Sequence, residues 1–162
     1  MSLPRRPMIF ALPALVLLAV VSAAAQQPPP SKFPVPVATY RVDPAGFRKD
    51  STTLHVRLMV PKGWHIQSNA PLDEFLIPTA LVAVGKDLRF GNAVFPKPVI
   101  KELEALGGKV ALFEDTVNIR LPVRRLKPAG DPKVAALSLR YQACNDTQCL
   151  PPRTIGVRYE GP

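Results

Sequence analysis

A chain of 162 residues with a formal charge of +9 and only two cysteines suits a single domain with one core once its N-terminal leader is set aside. The basic residues are mostly scattered, the densest mature run being Arg124, Arg125 and Lys127, and no aromatics interleave with them to form a stacking track, so the charge reads as a solvated basic face and no nucleic-acid partner is expected. Hydrolytic catalysis has little support: the acids are dispersed, no Gly-x-Ser-x-Gly elbow occurs, and the only histidines are His55 and His65.

The chain opens on Arg5 and Arg6, an apolar run over 8–21, and Ala23, Ala24 and Ala25 ahead of Gln26. That pattern predicts a signal peptide over 1–25, cleaved after Ala25; the apolar run is short for an anchor, which is the alternative. Losing Arg5 and Arg6 with no acid leaves about +7 on the mature part. No cysteine follows the apolar run, so lipid attachment is not indicated. The expectation is an exported, soluble periplasmic protein without stable membrane insertion after cleavage, in a compartment where cysteines can be oxidised. Proline-rich residues 26–36, with Pro28, Pro29, Pro30, Pro34 and Pro36, predict a stiff extended spacer or edge tether. The folded domain is expected over 37–162.

From Val37 onward the apolar period is two. Over 52–60, Leu54, Val56, Leu58 and Val60 share one face, while His55 falls on the polar one as a solvated residue. Pro61, Lys62 and Gly63 predict a turn, 64–68 a strand, 78–84 another, and 88–95 a continuation of the sheet. Residues 101–106 have helical composition but amount to one or two turns, ended by Gly107 and Gly108. Val117, Ile119, Leu121 and Val123 alternate again, with Pro122 marking that strand's end as an edge or bulge. Leu137, Leu139 and Tyr141 alternate over 134–142, and Ile155, Val157 and Tyr159 over 153–160. Seven to nine short strands separated by turn signals predict an all-β fold, an immunoglobulin-like antiparallel β-sandwich. The antibody-type pair of distant cysteines around a buried tryptophan is absent, which leaves Trp64 as a core or rim aromatic.

The remaining stretch, Tyr141-Gln142-Ala143-Cys144-Asn145-Asp146-Thr147-Gln148-Cys149-Leu150-Pro151-Pro152, holds both cysteines. Asn145 and Asp146 supply turn chemistry and the two prolines block a ladder, so the segment reads as a strand end, a tight connection and a restart. Neighbouring antiparallel strands bring Cα atoms within about 4.5–5.5 Å, a separation a disulfide accepts. As a staple the bond is poorly placed: closing about six residues stabilises by about 2 kcal/mol, against about 4.5 for a crosslink spanning most of a domain. Either a hairpin clip or a working redox couple fits. A copper or zinc carrier has less support, because Cys144, Cys149 and His65 supply three ligands at most; no metal or cofactor is expected.

The cysteine run resembles the signature of the N-terminal periplasmic domain of DsbD-type thiol:disulfide interchange proteins, here as a stand-alone version. Gly63-Trp64-His65-Ile66 and Phe113-Glu114-Asp115-Thr116-Val117 fall where that family has recognisable segments. The resemblance implies an immunoglobulin-like sandwich and thiol-disulfide exchange of the protein-disulfide reductase type. Electrons would pass from a membrane thiol-disulfide transporter to thioredoxin-like or other periplasmic acceptors, including disulfide isomerases and cytochrome c maturation proteins; with the sequence ending at Pro162, the donor is expected to be a separate protein. Cys149 would form the mixed disulfide and Cys144 resolve it. The resemblance also sets His65 beside the cysteines, with Trp64 next to it, where an imidazolium would favour a thiolate; a rim histidine without a redox role is the alternative. Asp146 would disfavour a thiolate by like charge, or simply serve the turn. By the resemblance, residues 101–108 would correspond to a cap over the cysteines, with Leu103 or Leu106 as the apolar lid and Gly107 and Gly108 as hinge; an ordinary connecting loop is the alternative. Two departures stand out: Cys-x4-Cys is one residue tighter than in the best-known members, and the cap segment lacks their aromatics. A noncatalytic periplasmic β-sandwich binding module with a permanent disulfide is the competing function.

Overall fold

A strand whose side chains alternate apolar and polar buries one face only, so stacking two such sheets buries both. The computed structural model describes residues 34–161 and follows that rule. Eleven strands succeed one another: β1 (Val37–Val42), β2 (Ser51–Met59), β3 (His65–Gln67), β4 (Ala80–Val84), β5 (Leu88–Phe90), β6 (Val99–Leu103), β7 (Gly108–Phe113), β8 (Thr116–Arg125), β9 (Ala136–Tyr141), β10 (Ala143–Cys144) and β11 (Arg153–Tyr159). Single 3-10 turns occupy Glu104–Leu106 and Pro132–Val134. The expected leader, and the spacer up to residue 33, lie outside the described residues.

Seven strands form one sheet in the order β4-β9-β11-β1-β2-β8-β5, and four form the other in the order β10-β3-β7-β6. The backbone of the large sheet is the nine-residue antiparallel ladder from Ser51↔Arg124 to Met59↔Thr116. One pair departs from the expected antiparallel pattern: β1 and β11 run parallel, with Thr39 opposite Arg158 and Tyr40 opposite Tyr159. Parallel neighbours need a long crossover, and here nearly the whole domain serves as one.

The alternation places Leu54, Val56, Leu58, Val117, Ile119, Leu121, Leu137, Leu139 and Tyr141 in the core, as their period requires. Ile66, Phe113 and Ala143 join them from the small sheet and Tyr40 from β1, whose hydroxyl lies 2.8 Å from the Lys133 carbonyl and 2.9 Å from that of Ala135. The immunoglobulin-like β-sandwich is therefore the fold, as the alternation and the cysteine-run resemblance imply.

Two local expectations change, and a third narrows to the edge-tether alternative. Pro122 sits inside β8 rather than at its end: its carbonyl accepts from Gly91 N–H, so its missing N–H faces the short edge strand β5 and the ladder with β2 continues unbroken. Residues 101–103 belong to β6 and only Glu104–Leu106 turns as 3-10, because pairing with β7, Lys101↔Val110 through Leu103↔Gly108, outweighs helical composition. Pro34 and Pro36, the described end of the spacer, lie on the domain: Pro36 is buried and Pro34 accepts a hydrogen bond from the Tyr141 hydroxyl at 3.2 Å.

Candidate functional site

The small sheet is buried on both sides at β10, β3 and the second half of β7, while its edge strand β6 is open to solvent. Val110, Ala111, Leu112 and Phe113 of β7 are all 3% exposed or less. Phe113, Ile66 and Ala143, opposite one another in the ladder, face the main core. Their neighbours of the other parity, Cys144, His65, Gln67, Leu112 and Val110, are equally buried yet stand outside that core, on the reverse face.

β10 is two residues long and ends on Cys144, opposite His65. The chain then turns back through Asn145, whose Oδ1 accepts the N–H groups of Thr147 at 3.0 Å and Gln148 at 2.9 Å and the Thr147 hydroxyl at 3.0 Å. Asn145 N–H donates to the Gln148 carbonyl and Leu150 N–H to that of Ala143. This closes Cys149 against Cys144 in a disulfide with Cα atoms 4.0 Å apart. Asn145 thus carries the turn chemistry, and Asp146 is exposed. The two sulfurs differ in access: Cys144 is 0% exposed, whereas Cys149 is half-buried at the loop's return.

Gln67 was not singled out by the sequence, although its parity with His65 on one strand is the signal that could have found it. It is fully buried, and its Nε2 donates to Cys144 Sγ at 3.3 Å. Its carbonyl accepts from the Thr79 hydroxyl, and Gln142 Oε1 accepts from Ile77 N–H at 3.0 Å, so the 69–79 loop is tied both to β3 and to the residue that joins β9 to β10. His65 is 2% exposed, and burial holds its imidazole below the usual histidine range against the opposing pull of the Glu114 and Asp146 carboxylates; the Lys101 ammonium adds to the depression. Lys101 is raised by its hydrogen bond to Glu114 and by the nearby charges of Glu114, Asp146 and Asp115. Charges from β6, from the β7–β8 corner and from the cysteine loop therefore converge around one neutral, buried imidazole.

The other expected residues separate. Trp64 has the parity of Ile66 and packs against the main core, on the side away from the disulfide. Leu103 shares the cysteine face of the sheet through its register with Gly108, and Leu106 sits in the 3-10 turn; both are half-buried. Gly107 caps that turn with φ 89° and Gly108 follows at φ 117°, a backbone that other residues adopt at a cost. His55 pairs with Asp43 at 3.2 Å on the outer face of the large sheet. A hollow of about 1290 Å³ lies on that same outer face, lined by Arg41, His55, Arg57, Arg120 and Lys133, and contains neither cysteine. Its lining also includes Asp43, Asp131 and Glu160, so its charge is mixed. Among the described residues no group of three or more His, Cys, Asp and Glu side chains is placed to hold a metal ion, and no helix is long and apolar enough to cross a membrane.

The fold and site define a class: a β-sandwich carrying one short-range disulfide on the edge of its smaller sheet. The sequence profile of the family described as thiol:disulfide interchange protein DsbD, N-terminal, matches residues 31–159, and the chain belongs to that family. Among solved structures it is similar to the DsbD N-terminal domain of Neisseria meningitidis in the reduced form, at 20% identity and a TM-score of 0.44, covering 82% of this chain and 90% of that one. It is also similar to the N-terminal periplasmic domain of ScsB from Proteus mirabilis, at 12% identity and a TM-score of 0.48, covering 74% of this chain and 44% of that one. Among curated proteins none matches.

Proposed function

We propose that the chain is a periplasmic thiol-disulfide exchange domain that relays electrons through Cys144 and Cys149, from a membrane thiol-disulfide transporter to thioredoxin-like or other periplasmic acceptors. In this account residues 1–25 are a cleaved leader, 26–36 a proline-rich tether whose Pro34 and Pro36 lie on the domain, and 37–162 the working sandwich. The observation that carries the reading is the unequal access of the two sulfurs. Exchange needs a thiolate in line with one sulfur and a leaving group on the other. Cys149, half-buried, receives the partner; Cys144, fully covered, leaves and later resolves the mixed disulfide.

The surrounding residues fit supporting roles. Asp146, exposed beside the couple, disfavours a thiolate by like charge and so guards the reduced form against adventitious oxidation. His65, neutral in its buried place, adds no positive charge that would oppose this. Leu103, Leu106, Gly107 and Gly108 form the cap, and Trp64 supports β3 from the core side.

Equilibration with glutathione buffers tests the function. A structural disulfide lies below about −300 mV and an exchange couple above it. We expect the Cys144–Cys149 couple above that value. A lower potential would leave a binding module with a permanent clip, consistent with the short loop the bond closes.

A further inference from the structure

Among the described residues three buried side-chain polar atoms have no hydrogen-bond partner: Thr52 Oγ1, His65 Nε2 and Gln67 Oε1. Two of the three lie on the cysteine face of β3. A buried acceptor without a donor costs free energy, so each one calls for a reason, a redox or catalytic role among them. Gln67 has the geometry for this: one end of its amide already donates to Cys144 Sγ at 3.3 Å, and the other end is empty.

We propose that Gln67 is a positioning residue for disulfide exchange, whose amide holds the Cys144 sulfur in both redox states and binds it more strongly once the disulfide has opened. This deepens, and rests on, the exchange reading above. A partner thiolate attacks Cys149 Sγ; the new bond joins the partner's sulfur to Cys149, the Cys144–Cys149 bond breaks, and its electron pair leaves on Cys144 Sγ. The Gln67 N–H then donates to a thiolate instead of a disulfide sulfur, a charge-assisted and stronger bond. When Cys144 takes up a proton from solvent, its S–H becomes the donor that Gln67 Oε1 lacks. The partner's second thiolate attacks the partner sulfur in the mixed disulfide, and Cys149 leaves with the second electron pair and is protonated in turn. Two electrons and two protons have moved from the partner's dithiol, now a disulfide, to Cys144 and Cys149. Because Gln67 has more to bind in the dithiol form, it draws the couple towards reduction.

The test replaces Gln67 by methionine, which keeps its length and approximate volume but offers neither N–H donor nor amide oxygen. Wild type and Gln67→Met are equilibrated with dithiothreitol and with glutathione, and the oxidised fraction is read by mass after alkylation. The variant's equilibrium is expected to shift about tenfold towards the disulfide, which is about 30 mV for a two-electron couple. A purely structural role would leave the thiolate alone, so the second readout is the ultraviolet titration of Cys144 in a Cys149→Ser background. There Gln67→Met should move the thiolate's titration about one pH unit higher. Should the methionine variant fail to fold, Gln67→Leu, which also lacks the N–H and adds no charge beside the sulfur, should move it upward as well. Unchanged equilibrium and unchanged titration overturn the proposal. A wild-type couple too reducing to exchange with glutathione would instead remove the exchange reading, and the difference between wild type and variant against dithiothreitol would still decide Gln67.

Discussion

Ile66 and its two neighbours divide β3 between two environments, and the division has a pH signature. Ile66 faces the main core, while His65 and Gln67 face the disulfide. Burial lowers the His65 pKa in the fold, whereas the unfolded chain titrates near the usual 6.5. Above that pH both states hold a neutral imidazole and the residue contributes no pH dependence. As pH falls below it, the unfolded chain takes up a proton that the fold resists, so stability declines until the folded pKa is passed. Urea midpoints measured from pH 7.5 to 5 should therefore fall for wild type and fall less steeply for His65→Phe, which retains His55. Equal slopes would show that His65 takes up its proton in the fold as readily as in the unfolded chain. Parity makes much of this site legible: a period of two across 64–68 already sets Trp64 apart from His65. What stays hidden is the partner of each face, since only the tertiary register of β10 on β3 reveals that Gln67 meets a sulfur.

At the scale of elements, the shortest pieces of the sandwich hold the chemistry. β10 has two residues and β3 three, too few for an alternation to register in the sequence, yet they position Cys144, His65 and Gln67. Their stability comes from β7, which pairs with β3, and from side-chain ties such as Thr79 to the Gln67 carbonyl. The hairpin of β6 and β7 ends in a 3-10 turn on two glycines of positive φ, and this tip is the proposed cap. Leu103 and Leu106 are half-buried and cover less area than aromatic rings would, so protection of the couple should be partial. Replacing both by serine should speed alkylation of the reduced cysteines several-fold and cost about 1 kcal/mol of stability. An unaltered alkylation rate would take the cap out of the account and leave the shielding to other groups. Composition misread this tip as helix because pairing with β7, a nonlocal interaction, decides residues 101–103.

For the whole molecule, long strands announce themselves and fix the architecture. Every core position expected from β2, β8 and β9 is buried, because six to ten residues of strict alternation leave one face for the interior. The parallel pairing of β1 with β11 could not be read this way, since alternation carries no direction. Ile119 and Arg120 test the parity directly. Ile119 is 1% exposed, opposite Val56, and Arg120 is on the outer face. Burying a large aliphatic side chain contributes about 1.5–3 kcal/mol, and a buried carboxylate adds a desolvation cost, against a total stability of about 5–15 kcal/mol. Ile119→Asp should abolish the folded circular-dichroism spectrum and Arg120→Asp should preserve it; equal tolerance would contradict the assignment. The two-sided burial of β7 has a mechanical consequence. Since β7 pairs with β3, the strand opposite Cys144, and buries side chains on both of its faces, this part of the sheet cannot slide or tilt without dragging Leu112 and Phe113 out of their packing. In the exchange proposed above, movement that admits a partner would be confined to the rim, to the Asn145 turn and the glycine-tipped hairpin, so the domain would behave as an anvil with two small hammers at its edge and not as a jaw that opens through its middle.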